Sequence, residues 1–186
     1  FLALIILLQF NFLTIVLGMS SMLLAFSYPF MKRITYWPQL FLGLTFNWGI
    51  IMAWASINNY ISLDIITLYA SAIFWTLGYD TIYGAQDIND DEIIGVKSTS
   101  IKFKENIKLF VSFNYCLVFL ILIFLFLKDF GPNFFSMLFV IFIFSLVFQL
   151  IIFNKKEANS CLKAFKTNNF SGFVLFLTIL SKNYSI

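Results

Sequence analysis

Residues 107–127, IKLFVSFNYCLVFLILIFLFL, carry one charged side chain, Lys108, at the very start of the run. An apolar stretch of this length matches the hydrocarbon thickness of a bilayer, which about twenty helical residues cross. Comparable runs recur at 12–30, 38–57, 62–79, 133–153 and 170–184, and residues 1–9 read as part of another. Backbone polar groups in lipid must be satisfied within the segment, so these runs predict helices. The fold class is therefore all-α, a polytopic transmembrane helical bundle of six complete spans plus a partial one, in a single domain over 1–186. A composition 61% hydrophobic and only 11% charged fits no ordinary soluble core.

Phe1 already lies inside an apolar run, with no initiating Met, basic flank or small-residue cleavage site around it. This is not a signal peptide. The expectation is a fragment whose N-terminal part precedes Phe1.

Basic residues near span ends stay on the cytoplasmic side. Lys32 and Arg33 share a side with Lys97, Lys102, Lys104 and Lys108, and with Lys155, Lys156, Lys163 and Lys166; Lys128 and Lys182 fall on the other. Ten of twelve therefore mark one face as cytoplasmic. Cys116 within a span and Cys161 in a cytoplasmic loop suggest no disulfide. The absence of histidine removes histidine bases, Ser-His triads and histidine metal sites. A net charge of +3 without a soluble basic domain gives no case for nucleic acid.

Pro29, Pro38 and Pro132 are expected at or near span boundaries, where a missing N–H costs little. Ser62 followed by Asp64 reads as a helix N-terminus, and Gly131-Pro132-Asn133 as a tight turn.

Against this background, YDTIYGAQDINDDEIIGVKST at 79–99 stands out, because five of the nine acidic residues gather there. If the third complete span continues as a helix, Asp80, Tyr83, Asp87 and Asp91 fall at i, i+3, i+7 and i+11 on one face. Like charges so spaced repel, more strongly at a poorly solvated membrane edge, and ask for cations. Mg²⁺ prefers oxygen ligands and is typically held by one or two carboxylates together with substrate phosphates, which implies a diphosphate ligand. Gly95-Val96-Lys97-Ser98-Thr99 supplies a cation, hydroxyls and a permissive backbone close by. An EF-hand fits poorly, since Glu92 stands where a glycine is required. A solvated acidic loop is the commoner meaning of a charge run, and the register, Tyr83 and Lys97 weigh against it here. A second cluster, Tyr28-Pro29-Phe30-Met31-Lys32-Arg33, shares the cytoplasmic face; Lys32 and Arg33 suit phosphate, although membrane anchoring alone often explains such a pair.

Three strings, YPFMKRITYWPQLFLGLTFNWGIIMA at 28–53, YDTIYGAQDINDDEIIGVKST at 79–99 and CLKAFKTNNFSGFVLFL at 161–177, resemble the UbiA-type intramembrane prenyltransferases, in particular the bacterial branch acting on 4-hydroxybenzoate in ubiquinone biosynthesis. The resemblance implies the C-terminal two-thirds of a nine-helix fold in a bacterial inner membrane, with its active-site loops facing the cytoplasm. It also implies Mg²⁺ as cofactor, and polyprenyl diphosphate and 4-hydroxybenzoate as substrates. Asp80, Asp87 and Asp91 match the family's second aspartate-rich motif, taken to hold the metal. Tyr28 and Lys32 match a Tyr-x-x-x-Lys element near the diphosphate, with Arg33 and Lys97 beside it. The first motif, NDxxDxxxD, is absent from these residues and would belong to the N-terminal third. The implied reaction joins the prenyl carbon to the ring ortho to the phenol oxygen, and Asp80 is the candidate base for the ring proton. Asn47 departs from the family's tendency to a small residue. Two other readings are another aromatic acceptor and a membrane cation transporter. The latter calls for ionisable groups inside the spans, which are essentially lacking. A CDP-alcohol phosphotransferase would need Asp-Gly-x-x-Ala-Arg, whereas Asp80 is followed by Thr81-Ile82-Tyr83-Gly84-Ala85-Gln86.

Overall fold

The computed structural model describes residues 2–182, and among them there are helices and no strands. In chain order they are α1 (Leu2–Leu7), α2 (Phe12–Ile34), α3 (Pro38–Phe46), α4 (Trp48–Asn58), α5 (Leu63–Gly84), α6 (Ile88–Ile94), α7 (Thr99–Lys102), α8 (Ile107–Leu125), α9 (Phe134–Ile152), α10 (Ala158–Lys166) and α11 (Asn168–Ser181). Five segments are long and apolar enough to cross a membrane: α2, α3 with α4, α5 through α6, α8 and α9. The chain is a multi-pass membrane protein. The stretch expected at 170–184 is α11, of 14 residues, and its last two positions lie outside the described residues. The partial span at 1–9 is the six-residue α1 followed by a turn.

Local chemistry explains most helix ends. Asn11, Ser62 and Asn133 cap α2, α5 and α9 by accepting from Thr14, Ile65 and Ser136 N–H. Asn59 closes α4 in the left-handed region at φ 56°, a conformation asparagine tolerates. Pro38 occupies the first turn of α3, where its absent N–H has no partner to lose. Pro29 differs from expectation: it sits inside α2, which runs on to Ile34. That continuation keeps Tyr28 and Lys32 one turn apart on the same face.

The second span breaks at Asn47. Its Nδ2 donates to Gly43 O at 2.9 Å within the span and reaches Ala72 O at 3.2 Å and Thr76 Oγ1 at 2.8 Å on α5. The departure from a small residue thus places an amide that pins the break between α3 and α4 to the central helix.

Helix α5 is that centre, packed against α8, α3 and α10. Gly78 makes the α5 and α8 contact close, for a Cβ there would run into the Tyr115 ring. Beside it lies a polar knot within the bundle. The Tyr115 hydroxyl donates to Gln149 Oε1 at 2.6 Å, and Gln149 Nε2 donates to Asn168 Oδ1 and Ser171 Oγ at 3.1 and 3.0 Å. Lipid-facing side chains are the opposite kind, such as Phe124 at 75% and Phe144 at 68% exposure. Helix association in lipid rests on packing and interhelical hydrogen bonds. Gln149→Leu, which preserves bulk and strands the buried Tyr115 hydroxyl, should lower stability by about 1–3 kcal/mol. An unchanged midpoint in denaturing-detergent titration would show that the knot holds nothing together.

Candidate active site

Three loops rich in lysine meet at one end of the bundle. The Lys97 backbone N–H donates to Lys32 O at 2.7 Å, and Lys155 Nζ donates to Lys104 O at 2.9 Å. At this end opens a cavity of about 130 Å³. Tyr28, Lys32, Asp80, Asp87, Asp91 and Lys97 all line it, together with Tyr83. Arg33 does not, since it stands about 100° further round α2 than Lys32.

The acidic wall follows from helix geometry. The combined Leu63–Ile94 segment of 32 residues would extend roughly 48 Å, well beyond a hydrocarbon core of about 30 Å. Its polar last turns therefore project past the apolar zone. One 3₁₀ turn, Ala85–Asp87, interrupts the α-helix, yet Asp80, Asp87 and Asp91 still face the same cavity. Gly95, in the left-handed region at φ 79°, ends α6. Its N–H and that of Val96 close on Asp91 O at 3.0 and 3.1 Å.

The opposite wall is the last turn of α2, where Lys32 complements the negative end of the helix dipole. Lys97 is seated on the same terminus: its Nζ donates to Ile34 O at 3.2 Å and lies 5.5 Å from the Tyr36 ring centroid. Two ammonium hydrogens of Lys97 remain for other acceptors.

The third wall is a buried polar seam. Gln39 Oε1 accepts from Thr99 N–H at 3.0 Å. The Thr81 hydroxyl donates to Leu77 O, so Thr99 Oγ1, 2.6 Å away, donates to Thr81 Oγ1. Ser100 Oγ donates to Thr81 O at 2.8 Å. Gly84 permits this approach, because a Cβ would come 2.7 Å from Ser100 Oγ. Gln39, Ser98 and Gly84 consequently line the cavity too. The Ser98 hydroxyl is legible in sequence, following Lys97, whereas Gln39 and Gly84 carry no local signal of a place in the site.

Lys32 interacts electrostatically with both Asp80 and Asp91. Among the described residues, however, the ion pairs are Lys104 with Glu92, Lys155 with Glu105 and Lys182 with Asp129, none of them across the cavity. Acid and base face one another without closing, a geometry suited to a ligand that bridges them. No three acidic or thiol side chains among the described residues stand close enough to hold a metal by themselves. One or two carboxylates would therefore share a metal with ligand oxygens, the manner in which Mg²⁺ is commonly bound. The residues fit such an ion on that condition.

One further feature differs from the sequence reading. The segment carrying Cys161 is the amphipathic helix α10, not a loop; Cys161 and Ala164 pack inward, while Lys163 and Lys166 face outward. Burial pushes the Cys161 thiol up, which disfavours the reactive thiolate.

The description "UbiA prenyltransferase family" matches residues 1–177. A 4-hydroxybenzoate octaprenyltransferase from Psychromonas ingrahamii is 44% identical over 167 residues, covering 89% of this chain and 58% of that protein. A mitochondrial 4-hydroxybenzoate polyprenyltransferase from Arabidopsis thaliana is 54% identical over 108 residues, or 58% of this chain and 26% of that protein. The chain thus spans less than two-thirds of the length of these relatives. The apo structure of a UbiA homolog from Aeropyrum pernix K1 superposes with a TM-score of 0.75 at 17% identity, covering 94% of this chain and 66% of that one. With the family matched over nearly its whole length and the helical fold shared, this chain belongs to the UbiA prenyltransferase family.

Proposed function

We propose that this protein transfers a polyprenyl group from polyprenyl diphosphate to the ring of 4-hydroxybenzoate, ortho to the phenol oxygen, with Mg²⁺, as a step of ubiquinone biosynthesis. The observation that carries the reading is the cavity in which Asp80, Asp87 and Asp91 face Lys32 without an ion pair between them. The names of the similar proteins supply the substrates.

In this reading Lys32, Lys97 and the Tyr28 hydroxyl bind the diphosphate, and Arg33 adds positive charge at the same helix end. Asp87 and Asp91, with Asp80 as the third candidate, would hold the metal, one or two carboxylates at a time together with diphosphate oxygens. Bound Mg²⁺ would neutralise charge developing on the leaving diphosphate. The allylic C–O bond breaks with its electron pair departing on diphosphate, a ring carbon forms the new C–C bond, and the ring proton passes to the Asp80 carboxylate. The single helical domain over 1–186 supplies this part of the site. With ten of twelve basic residues toward the cavity's end, that end faces the cytoplasm of a bacterial inner membrane.

The test is transfer of a polyprenyl group to 4-hydroxybenzoate by the protein reconstituted in bilayers, with a panel of other aromatic acceptors alongside. Prenylated 4-hydroxybenzoate should accumulate with Mg²⁺ and disappear with chelator. Product formed equally well in chelator, or only with another acceptor, contradicts the proposal.

A further inference from the structure

We propose that the lysine-rich end of the bundle binds an anionic phospholipid, with its phosphate in a cavity behind the aspartates and an acyl chain in the groove between α8 and α9. This site does not depend on the reaction proposed above. A cavity of about 510 Å³ opens on the other side of the segment that carries Asp87 and Asp91. Gln86 and Asn89 of that segment line it, with Lys104 from the loop before α8 and Lys155 and Lys156 from the loop after α9. Among the described residues no carboxylate lines it.

The three ammonium groups come from loops about fifty residues apart, tied where Lys155 Nζ donates to Lys104 O at 2.9 Å. Their charge is only partly met. Lys104 gives two hydrogens to Glu92, at 3.0 and 2.8 Å, and keeps a third. Lys155 lies 3.8 Å from Glu105, whose side chain is 85% exposed, and such surface pairs bind weakly. Lys156 is in no ion pair among the described residues. The Gln86 and Asn89 carboxamides add N–H donors, so the lining suits phosphate oxygens.

These lysines stand where lipid begins, since Ile151 and Leu109, four and five residues from Lys155 and Lys104, are exposed apolar side chains of the spans. Between the same two helices runs an apolar groove of about 180 Å³, lined by Cys116 and Phe119 of α8 and by Ile143, Val147 and Leu150 of α9. From Ser112 to Phe119 its wall extends about 10 Å along the axis. A free phosphate would use the upper cavity alone, whereas a phospholipid uses both. Basic pockets between helices at a membrane face take anionic head groups in this way.

The experiment measures binding of phosphatidylglycerol and of phosphatidylcholine with the same acyl chains to the detergent-solubilised full chain. Inorganic phosphate and glycerophosphoglycerol, the deacylated head group, serve as competitors. Wild type should prefer phosphatidylglycerol, and the two soluble anions should displace it poorly. Lys155→Gln combined with Lys156→Gln should cut the preference by roughly ten- to thirtyfold, the effect of two lysines at an anionic surface. Lys163→Gln combined with Lys166→Gln, also exposed but outside the cavity, should leave it unchanged. Cys116→Trp, at an exposed position in the groove, should weaken both lipids alike. Equal loss in the two lysine pairs would reveal diffuse surface charge, and displacement by inorganic phosphate as readily as by lipid would reveal a free-anion site. Either result overturns the proposal, as does a wild type without preference or a Cys116→Trp that binds both lipids normally.

Discussion

Asp87→Asn and Asp91→Asn are each expected to lower prenyl transfer by about 10²- to 10³-fold, the scale on which removing one electrostatic partner of a developing charge is felt. The replacement is nearly isosteric. Asp87 is exposed and Asp91 half-buried, so neither change removes packing on which insertion or folding depends. The loss should appear at saturating prenyl diphosphate and should be relieved in part by raised Mg²⁺. Turnover within a few-fold of wild type in both variants would remove the metal role assigned to them. Asp80→Asn serves as the contrast: if its carboxylate takes the ring proton, its defect should resist added metal.

Lys32→Met is expected to weaken prenyl diphosphate binding by roughly 10- to 100-fold, since a hydrogen bond to a charged group contributes about 1.5–3 kcal/mol. Methionine keeps the length and apolar stem of the side chain, and the lost interaction with the end of α2 costs only about 0.3–1 kcal/mol. The binding constant should therefore move far more than the unfolding midpoint. Lys32→Arg should recover part of the affinity, because the charge returns with a different donor geometry. Equal affinity in wild type and Lys32→Met would exclude Lys32 from the diphosphate site and leave Lys97 as the cavity's remaining cation.

The two predictions draw on residues read differently from the sequence. The aspartates were legible because helical periodicity is local: spacings of seven and four residues return side chains to one face whatever surrounds the helix. The register survives even the 3₁₀ turn at Ala85–Asp87. Lys32 was legible as a charge at a span end, but the backbone contact that joins its turn to Lys97, 2.7 Å from Lys97 N to Lys32 O, was not. Helix α10 read as a loop because it is short and lysine-rich, and its inward side, Cys161 and Ala164, is defined only by packing against neighbouring helices. Pro29 read as a boundary since proline usually breaks hydrogen bonding, whereas here the helix continues past it.

The amino-acid order alone determined the long apolar helices, the Ser62 cap and the segregation of lysines to one end, because desolvation, capping and helical register act over a few neighbouring residues. Only the tertiary structure decided that Gln39 would meet Thr99, that Gly84 would admit Ser100, and that Phe165 would lie against both Tyr79 and Tyr83. Those meetings join side chains far apart in the chain. No local pattern encodes them, for they exist only once close-packed helices have settled which faces touch.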